Sequence, residues 1–257
     1  MGIMDQFSLR NRCSIVTGAA MGLGKAMAAA LAEAGSDLVI ADINMAEAEK
    51  TAAEFRTLGV RAMVVKTDVT NPQTVDDMVG KVMAEFGRID VLINNAGITK
   101  HVKAEDLKLA DWQRVLDVNL NGVFIVSQAV GRIMIQQQRG SIINISSMSG
   151  IIVNTPQAQS AYNVSKAGVI MLTKSLANEF VGRGVRVNAV APGGIDTPII
   201  DSFALPEGAN RRMLARIMSP LGYGRAEDVA ALIAFIASDE AAYMTGSIVS
   251  FDGGITA

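Results

Sequence analysis

Seven short stretches of this chain are mostly apolar or small, and longer stretches of helical composition lie between them. They are Ser14-Ile15-Val16-Thr17, Leu38-Val39-Ile40-Ala41, Ala62-Met63-Val64-Val65, Val91-Leu92-Ile93, Ser141-Ile142-Ile143-Asn144-Ile145, Val185 to Val190 and Ser247-Ile248-Val249-Ser250. A strand with one wet face alternates polar and apolar residues. A run that does not alternate needs cover on both faces, which parallel strands with helices above and below receive. The intervening stretches read as helices: Gly24 to Ala34 stopped by Gly35, Ala46 to Leu58 stopped by Gly59, and Pro72 to Phe86 with the proline in the first turn. Further helices are read at about 111–138, about 160–181 and Ala226 to Ala237. The expected fold is α/β: a doubly wound, Rossmann-like parallel sheet with helices on both faces. No Pro/Ser-rich linker, repeat or low-complexity tract divides residues 1–257, so one domain is expected.

Half of the residues are hydrophobic, enough for a large core without disulfides. Twenty-three basic residues against 25 acidic ones give a net charge of −2, which argues against a nucleic-acid surface or a polybasic membrane anchor. The single cysteine, Cys13, has no partner for a bridge or a metal knot and reads as a buried thiol; no metal site is expected. Met1 to Arg12 carries Asp5 and no long apolar segment, so no signal peptide is expected, and no uninterrupted apolar run reaches the length of a membrane span. These points lead to an expected cytoplasmic location.

The first strand runs directly into Thr17-Gly18-Ala19-Ala20-Met21-Gly22-Leu23-Gly24, which opens a helix. Glycines there let the backbone turn tightly and approach a pyrophosphate, whose charge is favoured at a helix N-terminus. Gly18, Met21, Gly22, Leu23 and Gly24 are the candidate residues of that turn. Asp42 closes the second strand, about 20 residues on, where an acidic side chain accepts hydrogen bonds from ribose hydroxyls and repels a 2′-phosphate. Neither Met21 nor Ile43 beside it is basic, so NAD is expected over NADP. The structural alternative makes Asp42 a helix N-cap for the next element.

Tyr162 and Lys166 stand four residues apart in Tyr162-Asn163-Val164-Ser165-Lys166, hence on one face of a helix. A cation beside a phenol lowers its pKa from about 10 and makes it a candidate general acid/base. Such spacing also arises on ordinary solvated helices, so the pair gains weight only from its surroundings.

The T-G-x-x-x-G-x-G turn and the Tyr-x-x-x-Lys pair, with Asp68-Val69, Asn94-Asn95-Ala96-Gly97, Asp117-Val118-Asn119, Ser146-Ser147-Met148-Ser149-Gly150 and Pro192-Gly193-Gly194-Ile195-Asp196-Thr197, resemble the short-chain dehydrogenase/reductase family over essentially the whole chain. The resemblance implies a nicotinamide cofactor contacted by Asp68 and Val69 at the adenine and by the backbone of Asn95, Ala96 and Gly97 under the adenine ribose. Pro192, Gly193, Ile195 and Thr197 would lie at the nicotinamide or phosphates. It implies Ser147, Tyr162 and Lys166 as catalytic residues, Ser147 being chosen over Ser146 and Ser149 because Gly150 follows it by three. Asn119, rather than Asn121, would order a water beside Lys166. In alcohol oxidation Tyr162 would take the hydroxyl proton, Lys166 would lower its pKa and hold the nicotinamide ribose, and Ser147 would steady the substrate oxygen. A homotetramer joined through the helices at 111–138 and 160–181 is also implied.

The loop Ile151 to Gln159 is about two residues longer than usual for that family. Ser149, Asn154 and Gln157, with Gln159, are candidate contacts for substrate hydroxyls, and the run resembles the family's sugar-alcohol dehydrogenases and ketose reductases. The structural alternative is that these residues only satisfy loop backbone. The expected reaction is polyol plus NAD to ketose plus NADH. The apolar residues Phe203, Leu205, Met213, Leu214, Ile217 and Met218, with Arg211 and Arg212, mark a lid at about 195–218 and keep a hydrophobic ketone such as a 3-oxoacyl thioester as the alternative. A non-catalytic dinucleotide-binding regulator would not need Asn119, Ser147, Tyr162 and Lys166 together. His101, the only histidine, is read as an exposed loop residue.

Overall fold

A computed structural model describes residues 2–155, 157–197, 219 and 221–257. The lid residues Phe203 to Met218 lie outside the described residues, as does Pro156. The strands are β1 (Cys13–Thr17), β2 (Asp37–Asp42), β3 (Ala62–Lys66), β4 (Val91–Asn94), β5 (Gly140–Ile145), β6 (Val185–Pro192) and β7 (Ile248–Phe251). All pair in parallel in the order β3-β2-β1-β4-β5-β6-β7. The order reverses between β1 and β4, so the crevice for a ligand opens at the carboxyl ends of these two strands.

The helices are α1 (Ile3–Gln6), α2 (Gly22–Glu33), α3 (Met45–Arg56), α4 (Pro72–Phe86), α5 (Leu109–Leu116), α6 (Gly122–Gln136), α7 (Ser160–Phe180) and α8 (Ala226–Ala237). Successive strand residues face opposite ways. Val16, Ile40, Ile93, Ile143 and Val190 pack with Met27 and Leu31 of α2, Phe55 of α3 and Ile233 of α8. Their neighbours Ile15, Val39, Leu92, Ile142 and Val187 pack with Met78 of α4, Val126, Val130 and Met134 of α6, and Phe180 of α7. Both faces are therefore dry, which is why the strands do not alternate. Cys13 is buried among the second set, and its thiol is pushed up to about 12 by burial.

Two boundaries differ from expectation in ways that matter for the site. The stretch read as one helix at 111–138 is α5 and α6 joined by a π turn, Asp117–Asn121. The extra residue in that turn rotates Asn119 fully into the interior. Helix α2 begins at Gly22, two residues earlier than read, with Met21 at its N-cap. The span Leu109–Gln136 is the one among the described residues long and apolar enough to cross a membrane, but half of its most apolar stretch is buried and α6 packs on the sheet.

Candidate active site

The glycine turn and the loop after β4 are built as one piece. Thr17 Oγ1 accepts from the backbone N–H groups of Asn95 and Ala96 at 3.0 and 3.1 Å, and Asn95 Nδ2 donates to the carbonyls of Thr17 and Gly18, both at 3.0 Å. Gly18 has φ +64°, and a Cβ there would stand 2.9 Å from Ala96 Cα; one on Gly24 would stand 2.2 Å from the Gly18 carbonyl oxygen. These glycines let two strand ends and a helix start converge without side chains, leaving a backbone cradle at the N-terminus of α2.

Asp42 lies at the rim of this cradle. Its carboxylate accepts from the Ala20 N–H and the Asn44 N–H, each at 2.9 Å. The N-cap of α3 is Asn44, whose Oδ1 accepts from the Glu47 N–H, so the capping alternative for Asp42 falls away. Asp68, at the same end, is held below the usual carboxylate range by the Thr70 hydroxyl and N–H, at 2.7 and 2.9 Å.

At the other end Ser147 follows β5 and caps a short 3-10 turn, Met148–Gly150; its Oγ accepts from the Ser149 N–H at 3.1 Å, and its hydroxyl lies near enough to the Tyr162 phenol to favour the phenolate. The two neighbouring serines are otherwise engaged. Ser146 donates to the Lys166 carbonyl at 2.8 Å, and Ser149 accepts from Asn154 and Gln159. Gly150 is required by contact: a Cβ there would stand 2.7 Å from the carbonyl carbon and oxygen of Lys166. The turn bearing Ser147 thus lies directly on the backbone of α7, the helix that carries Tyr162 and Lys166.

Lys166 is 4 % exposed and donates to the Ile145 carbonyl at 2.8 Å, and burial pulls its ammonium down to about 8. Its Nζ is 5.6 Å from the centroid of the Tyr162 ring. The expected lowering of the Tyr162 pKa by Lys166 does not emerge from these groups. Burial raises it, and the group that works against burial is the Ser147 hydroxyl. Desolvation is the larger of the two effects.

Asn119 is fully buried behind Gly97 rather than in the cavity wall. Its Oδ1 accepts from the Ile98 N–H at 2.9 Å, and its Nδ2 donates to the Ile98 carbonyl at 2.9 Å and to Ser165 Oγ at 3.1 Å. A Cβ on Gly97 would stand 3.4 Å from Asn119 Oδ1 and 3.7 Å from Lys166 Nζ, so the three groups meet at one point. Asn121 is exposed and donates to Asp117, apart from this cluster.

One cavity of about 660 Å3 runs through all of this. Gly18, Met21, Gly22, Leu23, Gly24, Asp42, Asp68, Val69, Asn95, Ala96 and Gly97 line it, as do Ser147, Ser149, Asn154, Gln157, Gln159, Tyr162, Lys166, Pro192, Gly193, Ile195 and Thr197. Its walls also include residues that no motif marked, among them Thr99 and Arg114. Arg114 comes from α5, and only the packing of that helix brings it there. His101 is half-buried instead of exposed, with Nε2 3.3 Å from Thr99 Oγ1, and is not in the cavity wall.

A family model described as enoyl-(acyl carrier protein) reductase matches residues 18–256. The chain belongs to the short-chain dehydrogenase/reductase family. It is 44% identical over 248 residues to a 3-oxoacyl-(acyl-carrier-protein) reductase of Thermotoga maritima, covering 96% of this chain and 98% of that one. It is equally 44% identical over 259 residues to a galactitol 2-dehydrogenase of Rhizobium johnstonii, covering 100% and 99%. The solved structure of a short-chain type dehydrogenase/reductase from Mycobacterium marinum superposes with a TM-score of 0.93 at 38% identity, covering 99% of each chain. As a short-chain dehydrogenase/reductase the protein is an oxidoreductase of alcohol and keto groups that binds a nicotinamide dinucleotide. The continuous cavity and the side-chain-free cradle at Gly18 and Gly24 fit such a cofactor.

Proposed function

We propose that the protein oxidises a polyol or related secondary alcohol with NAD, and reduces the corresponding ketose in reverse. The observation that carries this is the gathering of Ser147, Tyr162 and the buried Lys166 with the glycine cradle in one cavity. A bound nicotinamide supplies the hydride acceptor. The chain's own groups handle the proton and the position of the substrate. The Ser147 hydroxyl donates to the substrate oxygen and stabilises charge that develops there. Tyr162 Oη takes the hydroxyl proton during oxidation and returns it during reduction. Lys166 gives one N–H to Ile145, and its remaining donors are available to a ribose hydroxyl. Asn119 pins the backbone at Ile98 and so keeps Gly97 close to Lys166.

Before substrate takes its proton, the Ser147 hydroxyl favours the phenolate, so its loss raises the Tyr162 pKa in the free enzyme, the state that kcat/KM reports. Ser147→Ala is therefore expected to move the alkaline-rising limb of kcat/KM for alcohol oxidation to higher pH, besides lowering its plateau. A pH profile with the limb unmoved would disconnect the two residues.

NAD is the proposed cofactor because the Asp42 carboxylate, fixed by two backbone N–H groups, adds a negative charge where NADP carries a phosphate. Charges a few ångströms apart near a surface repel by a few kcal/mol, so kcat/KM with NAD is expected to exceed that with NADP by about 100-fold. Asp42→Ala should narrow that ratio. Equal use of both cofactors by the unaltered protein would defeat the assignment.

The polyol reading draws on Ser149, Asn154 and Gln159 in the cavity wall and on the similarity to the galactitol dehydrogenase. Reduction of a 3-oxoacyl thioester is the second reading. It is favoured by the apolar packing of Met148 with Tyr223 and Ile255 and by the equal similarity to the Thermotoga enzyme. Turnover of a pentitol, hexitol and ketose panel against a 3-oxoacyl thioester decides between them. Reduction of the thioester without polyol oxidation would reverse the ranking.

A further inference from the structure

Met148 belongs to neither of the two cores that cover the sheet. It is 3 % exposed, and its apolar cover is a separate small cluster with Tyr223 and Ile255. It directly follows Ser147 in the chain and lines the cavity. The short turn Met148–Gly150 is therefore held at both of its ends. Gly150 lies against the α7 backbone at Lys166, and Met148 packs with Ile255, from the turn at 252–256 that follows β7. That second turn is itself firmly placed. The Asp252 carboxylate accepts from the Gly254 N–H at 2.9 Å, from the Thr256 N–H at 3.2 Å and from the Thr256 hydroxyl. Gly253 and Gly254 take φ +66° and +84°, values that side chains resist. The Phe251 carbonyl accepts from the Gly193 N–H at 3.0 Å, and a Cβ on Gly193 would stand 2.7 Å from Asp252 Cα. Ile255 is thus tied to the end of β6 and so to the sheet. A methionine side chain has three rotatable bonds and fixes little by itself. A β-branched isoleucine is stiff at χ1 and gives Met148 a firm wall.

We propose that Ile255, held in place by Asp252, is a positioning residue for Ser147: through Met148 it keeps the Ser147 hydroxyl where the substrate oxygen binds. This rests on the role given above to Ser147 and holds for either substrate reading. The test is a double-mutant cycle on kcat. It is run with whichever of a hexitol, a ketose or an acetoacetyl thioester the unaltered protein turns over fastest.

Ile255→Ala should lower kcat by about 10-fold, because neighbours of a truncated side chain relax only in part and a full ångström at a catalytic group costs about 100-fold. In a Ser147→Ala background the same change should cost less than about twofold, since no hydroxyl is left to position. Ile255→Val, one methylene smaller, should recover most of the loss. NADH binding by fluorescence should be unchanged in every variant, because the cradle lies at other strand ends. If Ile255→Ala does not bind NADH, Ile255→Val takes its place in the cycle, with a loss of about twofold beside Ser147 and none without it. No loss of kcat, or a change confined to the KM of the substrate, overturns the inference. So does an equal loss in both backgrounds, which would make Ile255 part of the general packing while Ser147 keeps its role. If Ser147→Ala alone retains full turnover, or none of the three substrates reacts, the role of Ser147 falls and the inference falls with it.

Discussion

Tyr162→Phe is expected to lower kcat for alcohol oxidation by about 1,000-fold, within the range a positioned acid/base contributes, while NADH binding stays close to that of the unaltered protein. The reasoning starts from the phenol's surroundings. Tyr162 is half-buried in the cavity wall beside Ser147, and its Oη is the group proposed to exchange a proton with a substrate hydroxyl. The substitution removes that oxygen and leaves the ring, so the packing of α7 is kept. The cofactor cradle is formed by Thr17, Gly18, Asn95 and Ala96 at other strand ends, which the change does not touch. The loss should therefore fall on kcat, with the dissociation constant of NADH from fluorescence titration nearly unchanged. Turnover within tenfold of the original would remove Tyr162 from the proton transfer. A parallel loss of NADH binding would make the effect structural instead.

The burial of this site bears on its pH behaviour. Tyr162 is raised and Lys166 lowered to about 8, both by desolvation, so each is pushed toward its neutral form. A phenolate is thus harder to form among the chain's own groups than the sequence spacing suggests. The Ser147 hydroxyl works in the other direction. Proton release in oxidation is then coupled to Ser147, and reduction, which needs the protonated phenol, tolerates neutral pH more readily.

The layering of the fold was legible because unbroken apolar runs and glycine stops report burial and helix ends directly. Gly35, Gly59 and Gly87 all adopt the left-handed conformation that ends a helix. Most of the candidate residues from Gly18 to Thr197 came from the family resemblance, and the parallel sheet accounts for their meeting, since it brings all its carboxyl ends to one edge. The sequence did not reveal the π turn at Asp117–Asn121, since a one-residue change of helical pitch leaves no compositional mark, and that turn is what buries Asn119. Arg114 was also invisible, because it reaches the cavity by the packing of α5 rather than through a motif. The spacing of Tyr162 and Lys166 placed them on one face, but a shared face does not fix the distance from ammonium to phenol oxygen. Ser146, Ser147 and Ser149 differ in their hydrogen bonds in a way that spacing alone cannot supply.

Gly150→Ala should be the most damaging single-carbon addition near the reacting groups, lowering kcat by about 100-fold, the cost of roughly an ångström of misplacement at a catalytic group. Gly150 is not among the residues with positive φ, so the cost is one of contact and not of backbone strain. The added Cβ would stand 2.7 Å from the Lys166 carbonyl carbon and oxygen and 2.9 Å from the Ala167 nitrogen. These are backbone atoms in the middle of α7, which is locked by buried Ala161, Ser165, Val169 and Thr173. A flexible side chain can swing aside, but a packed helix cannot, so the short Met148–Gly150 turn must lift. Ser147 caps that turn and would move with it, away from Tyr162. The alkaline limb of the pH profile should consequently shift upward, in the same direction as for Ser147→Ala, while the KM for NAD stays near its original value because the cradle lies at other strand ends. Gly80→Ala is the matched control: nothing lies within 4 Å of its Cβ on the exposed face of α4, and it should stabilise the helix by about 0.5–1 kcal/mol without affecting kcat. If Gly150→Ala folds and binds NADH but keeps both its kcat and its pH profile, the turn does not set the position of Ser147, and the packing account of the family's serine–glycine spacing is wrong for this chain.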